Sequence, residues 1–218
     1  MRTHKILALA AVSAAIVASP AYAEKGDVLV RVRAIVVSPT ERSSAVTPGF
    51  PGSKLGVSDA VMPEIDFTYM ATKHIGAELI LATTEHKIEG RGTLSGVPKI
   101  AKTWVLPPTL TLQYHFLPDT KIRPYVGAGV NYTIFYASKA DSDLVRAVGP
   151  TNVHLSNSFG YVLQAGTDID ITKKVFLNLD IKYVGLKTNA RLNTGGAINT
   201  ARVDIDPLIF GIGLGFKL

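Results

Sequence analysis

The sequence contains no cysteine, which excludes a disulfide framework, a thiolate metal site and a cysteine nucleophile. Beyond its first two dozen residues it lacks any run of about 18 to 20 apolar residues free of charge, so no transmembrane helix is predicted. Like charges are nowhere massed: 23 Lys and Arg and 17 Asp and Glu are scattered through 218 residues. The concentrated basic patch of a nucleic-acid binder is missing, and no nucleic-acid partner is expected. Histidine is sparse as well. His74, His86, His115 and His154 stand apart, with no pair at i, i+2 or i, i+4. No acid, histidine or serine cluster is assembled from them, so no catalytic residue, metal or cofactor is assigned and an enzyme is not expected.

What the chain does have is apolar residues dispersed by alternation: 47% hydrophobic, with a mean hydropathy of +0.23. The first 23 residues stand apart from this pattern. Arg2 and Lys5 precede an apolar stretch from Ile6 to Ala18, and Ala21-Tyr22-Ala23 closes it. These are the three regions of a secretory signal peptide, predicted over 1–23, with one mature domain over 24–218. Export of such a chain implies the barrel-assembly machinery as a partner during biogenesis.

Eight segments then repeat the period of two that marks a sheet with unlike faces. In the first, Val28, Val30, Val32, Ala34 and Val36 oppose Arg31 and Arg33. In the second, Ile65, Phe67 and Tyr69 oppose Glu64, Asp66 and Thr68; in the third, Ala77, Leu79 and Leu81 oppose Glu78 and Ile80. The fourth is predicted from about Thr103 to Phe116, the fifth over Arg123–Tyr136, the sixth from Ser158 to about Ile171. The seventh, Val175 to about Lys187, sets Leu177, Leu179, Ile181 and Tyr183 against Asn178, Asp180 and Lys182. The eighth, Arg202–Leu218, alternates apolar residues with Gly211, Gly213 and Gly215.

Short connectors (72–74, 117–122, 172–174) alternate with long ones (38–61, 88–102, 137–157, 188–201), as tight periplasmic turns alternate with external loops in outer-membrane barrels. The fold class predicted is therefore all-β: an eight-stranded antiparallel transmembrane β-barrel in the outer membrane of a Gram-negative bacterium. Outer-membrane lipid is its implied partner. Tyr69, Tyr114, Phe116, Tyr136, Phe159 and Phe216 fall near strand ends, where the interfacial girdles belong. A secreted lipocalin-like barrel would turn the apolar face inward. The glycine stripe of the last segment and the alternating connector lengths favour the membrane barrel.

With the apolar face outside, Arg31, Arg33, Glu64, Asp66, Glu78, Asp180 and Lys182 point into a narrow lumen, where opposite charges should pair. The pairs Asp168/Asp170 and Asp204/Asp206 are read as ladder partners of Arg or Lys rather than as a cation site. Gly127-Ala128-Gly129 starts like a dinucleotide fingerprint, but Tyr132 stands where the third glycine belongs and no helix pattern follows.

Five ordered stretches carry a family resemblance: Leu29-Val30-Arg31-Val32-Arg33-Ala34; Phe67-Thr68-Tyr69-Met70-Ala71-Thr72; Ile75-Gly76-Ala77-Glu78-Leu79; Leu106-Pro107-Pro108-Thr109-Leu110; and Arg123-Pro124-Tyr125-Val126-Gly127-Ala128-Gly129-Val130-Asn131-Tyr132-Thr133. Together with Asp206-Pro207 ahead of the last apolar alternation, they make the mature chain resemble the OmpW family. The resemblance implies an eight-stranded barrel with an apolar passage opening outside, passive entry of small hydrophobic solutes, and lateral release through the wall into the membrane. Ile80, Trp104, Val105, Phe135 and Lys182 are the residues assigned to such a passage. Pro107, Pro108 and Pro207, which donate no ladder hydrogen bond, are assigned to its lateral opening. Two departures stand out: Lys182 falls where an apolar constriction belongs, and the chain ends on Leu218 rather than Phe. Loop and upper-lumen apolarity (Phe50, Leu55, Trp104, Phe135) favours transport. The inward charges favour the alternative, a non-transporting structural or stress-adaptation barrel with a plugged lumen.

Overall fold

The computed structural model describes residues 24–218; the signal peptide predicted over 1–23 lies outside the described residues. Strands occupy most of the chain: β1 (Val28–Ser38), β2 (Arg42–Ser43), β3 (Ser53–Val57), β4 (Ala60–Met70), β5 (Ile75–Ala82), β6 (Thr84–Gly92), β7 (Lys99–Leu106), β8 (Thr109–His115) and β9 (Ile122–Ala140). A short helix α1 (Ser142–Val148) separates these from β10 (Thr151–Leu155), β11 (Ser158–Asp170), β12 (Val175–Val184), β13 (Lys187–Thr194), β14 (Ala197–Asp204) and β15 (Leu208–Lys217).

Eight of the strands close a barrel in the order β1-β4-β5-β8-β9-β11-β12-β15, with β15 returning to β1. Every pairing is antiparallel, and because the ring closes, no strand among these eight is an edge strand, as a hydrocarbon surrounding requires. The alternation read from sequence sets the two faces. Phe67, Leu79, Leu112, Tyr161 and Ile212 are exposed on the outside, while Arg31, Arg33, Asp66, Glu78 and His115 are buried within. Two inward glycines allow close strand approach: a Cβ on Gly213 would lie 2.0 Å from the Val32 carbonyl oxygen, and one on Gly129 2.0 Å from that of Leu110. The tight turns at 71–74 and 171–174 share one device. The Thr72 hydroxyl accepts from the His74 and Ile75 amides, and the Thr172 hydroxyl from those of Lys174 and Val175.

At the opposite end the structure departs from the sequence reading. The four long connectors are built rather than loose, and together they raise a crown above the barrel. β3, β6 and β7 extend the wall beside the upper part of β9, and β10, β13, β14 and β2 form a second sheet. Leu55, Ile88, Ile100, Leu144, Val153 and Leu192 bury a common core between them. The segments predicted as continuous strands over 103–116 and 202–218 are each interrupted, at Pro107-Pro108 and at residues 205–207. Proline supplies no amide to the ladder, so the strand ends there and restarts.

Candidate functional site

Four inward-facing rows change character at one height. On β1, Arg31 and Arg33 give way to Ile35 and Val37; on β4, Asp66 and Glu64 give way to Met62. On β5, Glu78 precedes Ile80, and on β12, Asp180 and Lys182 precede Val184. The lower lumen is thus ionic and the upper lumen apolar.

The ionic half is a plug. Arg31 donates from Nη1 to Asp66 (3.0 Å) and to the Thr68 hydroxyl (2.7 Å), and grips Asp168 with Nε (3.2 Å) and Nη2 (3.0 Å). Arg33 lies 2.8 Å from Glu64, 2.6 Å from Asp66 and 3.3 Å from Glu78. Lys182 bridges Asp180 (2.6 Å) and Glu64 (2.9 Å). Neutral donors supply what the cations do not. Thr111 donates to Glu78 (2.8 Å), Gln164 (2.8 Å) and Tyr125 (3.0 Å) to Asp180, and Asn178 to Asp168 (2.8 Å). Arg123 pairs with Asp170 nearer the short turns. All six carboxylate and guanidinium residues assigned to the lumen from sequence lie in this network, together with Lys182. Asp168, Tyr125, Asn178 and Gln164 were not singled out as lumen residues. Asp168 has Arg123 as its cross-strand neighbour on β9, as the ladder reading expects, and adds a contact with Arg31 made through the lumen.

Above the plug is a cavity of about 100 Å³. Its floor is Glu64, Lys182 and Ile80; its walls include Ile35, Val105 and Phe135, and it continues up past Leu55 and Val203. Lys182, assigned to the passage, therefore seals its base through Glu64 rather than interrupting it. Ile80, Val105 and Phe135 face the cavity as assigned. Trp104 does not. Neighbours on a strand face opposite ways, so with Val105 inside, Trp104 is turned outward, 39% exposed, its ring 6.3 Å from that of Tyr136. His86 lines the cavity in the crown, where burial pulls its imidazole below the ordinary range although Nδ1 lies 3.1 Å from the Ser58 carbonyl.

The wall beside this cavity is interrupted. The β5–β8 ladder ends at Ile80↔Thr109 and pairing resumes as β6–β7 at Thr84↔Val105. Residues 81–83 and 106–108 face each other between these points, bridged by the Thr83 hydroxyl donating to the Val105 carbonyl (3.2 Å). On the other edge of the same segment, the β4–β5 ladder stops at Glu64↔Ala82, next to Pro63, a proline not singled out from sequence. The three assigned prolines are not equivalent. Pro108 accepts from the Tyr132 amide (3.1 Å) on β9, and Pro207 from the Val184 amide (3.1 Å) on β12. The Thr40 amide bonds to the Ile205 carbonyl (3.1 Å), so the seam at Pro207 is closed. Only Pro107 belongs to the interrupted side. The Pro107 carbonyl accepts from Asn131 Nδ2 (3.2 Å) and the Thr109 hydroxyl (3.0 Å), beside the point where the β5–β8 ladder has ended.

A closed eight-stranded barrel with this crown has known counterparts. A family model described as OmpW family matches residues 24–218. The chain belongs to the OmpW family. Outer membrane protein W of Escherichia coli is 35% identical over 196 residues, covering 89% of each chain. A dibenzothiophene metabolism operon protein, PahQ of Pseudomonas aeruginosa, is 31% identical over 203 residues, 91% of this chain and 92% of its own. The crystal structure of the outer membrane protein OprG from Pseudomonas aeruginosa superposes with a TM-score of 0.85 at 30% identity, covering 91% of this chain and 99% of that one. This OmpW-family barrel is accordingly a protein of the Gram-negative outer membrane, with its crown outside and its short turns in the periplasm.

Proposed function

We propose that this barrel is a passage rather than a catalyst, admitting small apolar molecules passively and releasing them sideways into the membrane. The observation that carries the reading is the position of the wall break. Ala82 and Thr84 on one side of it and Val105 and Pro107 on the other all line the cavity, while the Lys182–Glu64 bridge closes the floor. An apolar occupant gains by leaving water for this lining and cannot cross the ionic plug without losing that gain. The remaining way out is lateral. One relative bears the name of an operon for metabolism of dibenzothiophene, an apolar tricycle, and a solute of that chemistry suits such a lining.

The test is uptake into an outer-membrane-limited host, pairing an apolar tracer with a polar one of similar size. Apolar entry should rise with expression and polar entry should not. Pro107→Val, which restores an amide beside the wall break, should slow apolar entry, whereas Pro108→Val, whose carbonyl already accepts from the Tyr132 amide on the closed β9 seam, should leave it near the unaltered rate. Equal entry of both tracers, or Pro107→Val at full rate, overturns the lateral route. No entry of either by a folded, inserted barrel favours the second reading, a structural barrel, for which the plug is the supporting observation.

A further inference from the structure

Above the wall break, three lysines stand side by side on the outer surface. Lys87 on β6 is registered with Lys102 on β7, and Lys102 with Lys139 on β9. His86, Ile88, Ala101 and Thr103, their neighbours along the strands, point inward, so all three ammonium groups share the outward face. Like charges directly opposite across a ladder repel, and one carboxylate answers this row. Glu85 lies 3.7 Å from Lys102, while the ion pairs among the described residues include neither Lys87 nor Lys139. The second crown sheet is built differently. There Asp204 sits between Lys187 and Arg42 in register and lies 3.7 Å from Lys187. The lysine row therefore retains a positive charge that the protein itself leaves unanswered.

Its height on the barrel indicates what answers it. The next outward row toward the membrane is Glu85, Trp104 and Tyr136, and the Tyr136 hydroxyl meets that of Thr83 (2.8 Å) at the wall break. Trp and Tyr mark the boundary between hydrocarbon and headgroups, and a two-residue step along a strand spans roughly 7 Å. The lysines thus stand at headgroup height. We propose that the row Lys87–Lys102–Lys139 is a docking site for the phosphorylated headgroup of an outer-leaflet glycolipid, whose acyl chains lie against Trp104 and Tyr136 and flank the wall break. Ammonium groups meet phosphate as point charges with several donors each, and a basic cluster at a membrane surface holds anionic headgroups on the same principle.

Trp104 is the single tryptophan of the chain and lies two residues from Lys102, so its emission reports on this site directly. Purified protein in neutral detergent without divalent cations is titrated with bisphosphorylated lipid A and with the same lipid stripped of its phosphates. The phosphorylated form should change the emission saturably and the stripped form should not. The triple substitution Lys87→Gln, Lys102→Gln, Lys139→Gln should need at least about tenfold more lipid. Removing three periplasmic charges instead, with Lys121→Gln, Lys173→Gln and Lys174→Gln, should change nothing. Raised salt should weaken the response of the unaltered protein, a measurement independent of whether the triple variant folds. Equal responses to both lipids, an undiminished response in the triple variant, an equal loss in the periplasmic control, or salt independence each overturns the assignment. A matching response to dextran sulfate would give the row to a soluble polyanion and overturn the lipid.

Discussion

Replacing Arg31 by Met tests whether the plug holds the barrel together or merely fills it. The side chain is fully buried and its guanidinium joins Asp66 on β4 to Asp168 on β11. Its four hydrogen bonds to charged and hydroxyl partners would sum to some 6–12 kcal/mol at face value of about 1.5–3 each. That sum overstates the effect, because Asp66 keeps Arg33 at 2.6 Å and Asp168 keeps Asn178 at 2.8 Å. The cost expected is that of one uncompensated buried charge, about 3–5 kcal/mol. Urea-dependent folding into lipid vesicles reads it as a lowered midpoint at unchanged slope. Adding Asp168→Leu removes the stranded partner and should recover a large part of the loss, a coupling of about 0.5–3 kcal/mol between neighbours. Breaking the exposed Lys73–Asp119 pair, although it is only 2.6 Å long, should be undetectable by the same assay. A midpoint for Arg31→Met indistinguishable from the unaltered protein, or a double variant no better than the single, would refute the argument.

Acid should act through His86. An unfolded imidazole takes up its proton near its ordinary value of about 6.5, whereas the buried one resists. Stability is therefore complete above that pH and declines as pH falls below it; the midpoint measured at pH 7.5 and pH 5 should differ less in His86→Gln, and an identical pH response would count against the assignment. Gly213→Ala should abolish or severely lower the yield of folded barrel, since its methyl would meet the Val32 carbonyl of the partner strand, while Gly96→Ala, with open space around it, should fold normally. Electrophoretic mobility of unheated samples distinguishes the two.

Period two was sufficient to read the barrel. The inward and outward rows of β1, β4, β5 and β12 are those the alternation assigns, because a hydrocarbon exterior and an ionic interior enforce the strictest contrast a strand can carry. Of the crown, only the stretches that continue barrel segments (84–87, 103–106 and 202–204) are legible as strand; the rest falls in long connectors rich in Ser, Thr, Gly and Asn, residues that read equally as turn. One signal was present: Gly195-Gly196, both with positive φ, join β13 to β14 in the manner of a two-residue hairpin turn. Trp104 was misplaced against the rule of alternation itself. The ladder partner of Asp168, Arg123, is of the type expected, but its contact with Arg31 is not legible, since that residue lies 137 positions away and is reached through the lumen. Of the three assigned prolines only Pro107 borders the wall break on its open side; Pro108 and Pro207 accept from the Tyr132 and Val184 amides on closed seams, which a missing amide alone does not reveal.

The seam between first and last strands sets a condition on assembly. β1 closes against β15, and the Leu218 amide still bonds to the Val28 carbonyl at 2.9 Å. The plug, meanwhile, draws its cations from β1, β9 and β12 and its anions from β4, β5, β11 and β12. The lumen guanidiniums wait for β11 and β12 to bring Asp168 and Asn178, and the free edges of β1 and β12 wait for β15. A half-built wall would offer hydrocarbon both an open edge and unneutralised charge, each prohibitive there. Closure is therefore expected to accompany insertion, and removing β15 should cost the whole barrel rather than one strand of it.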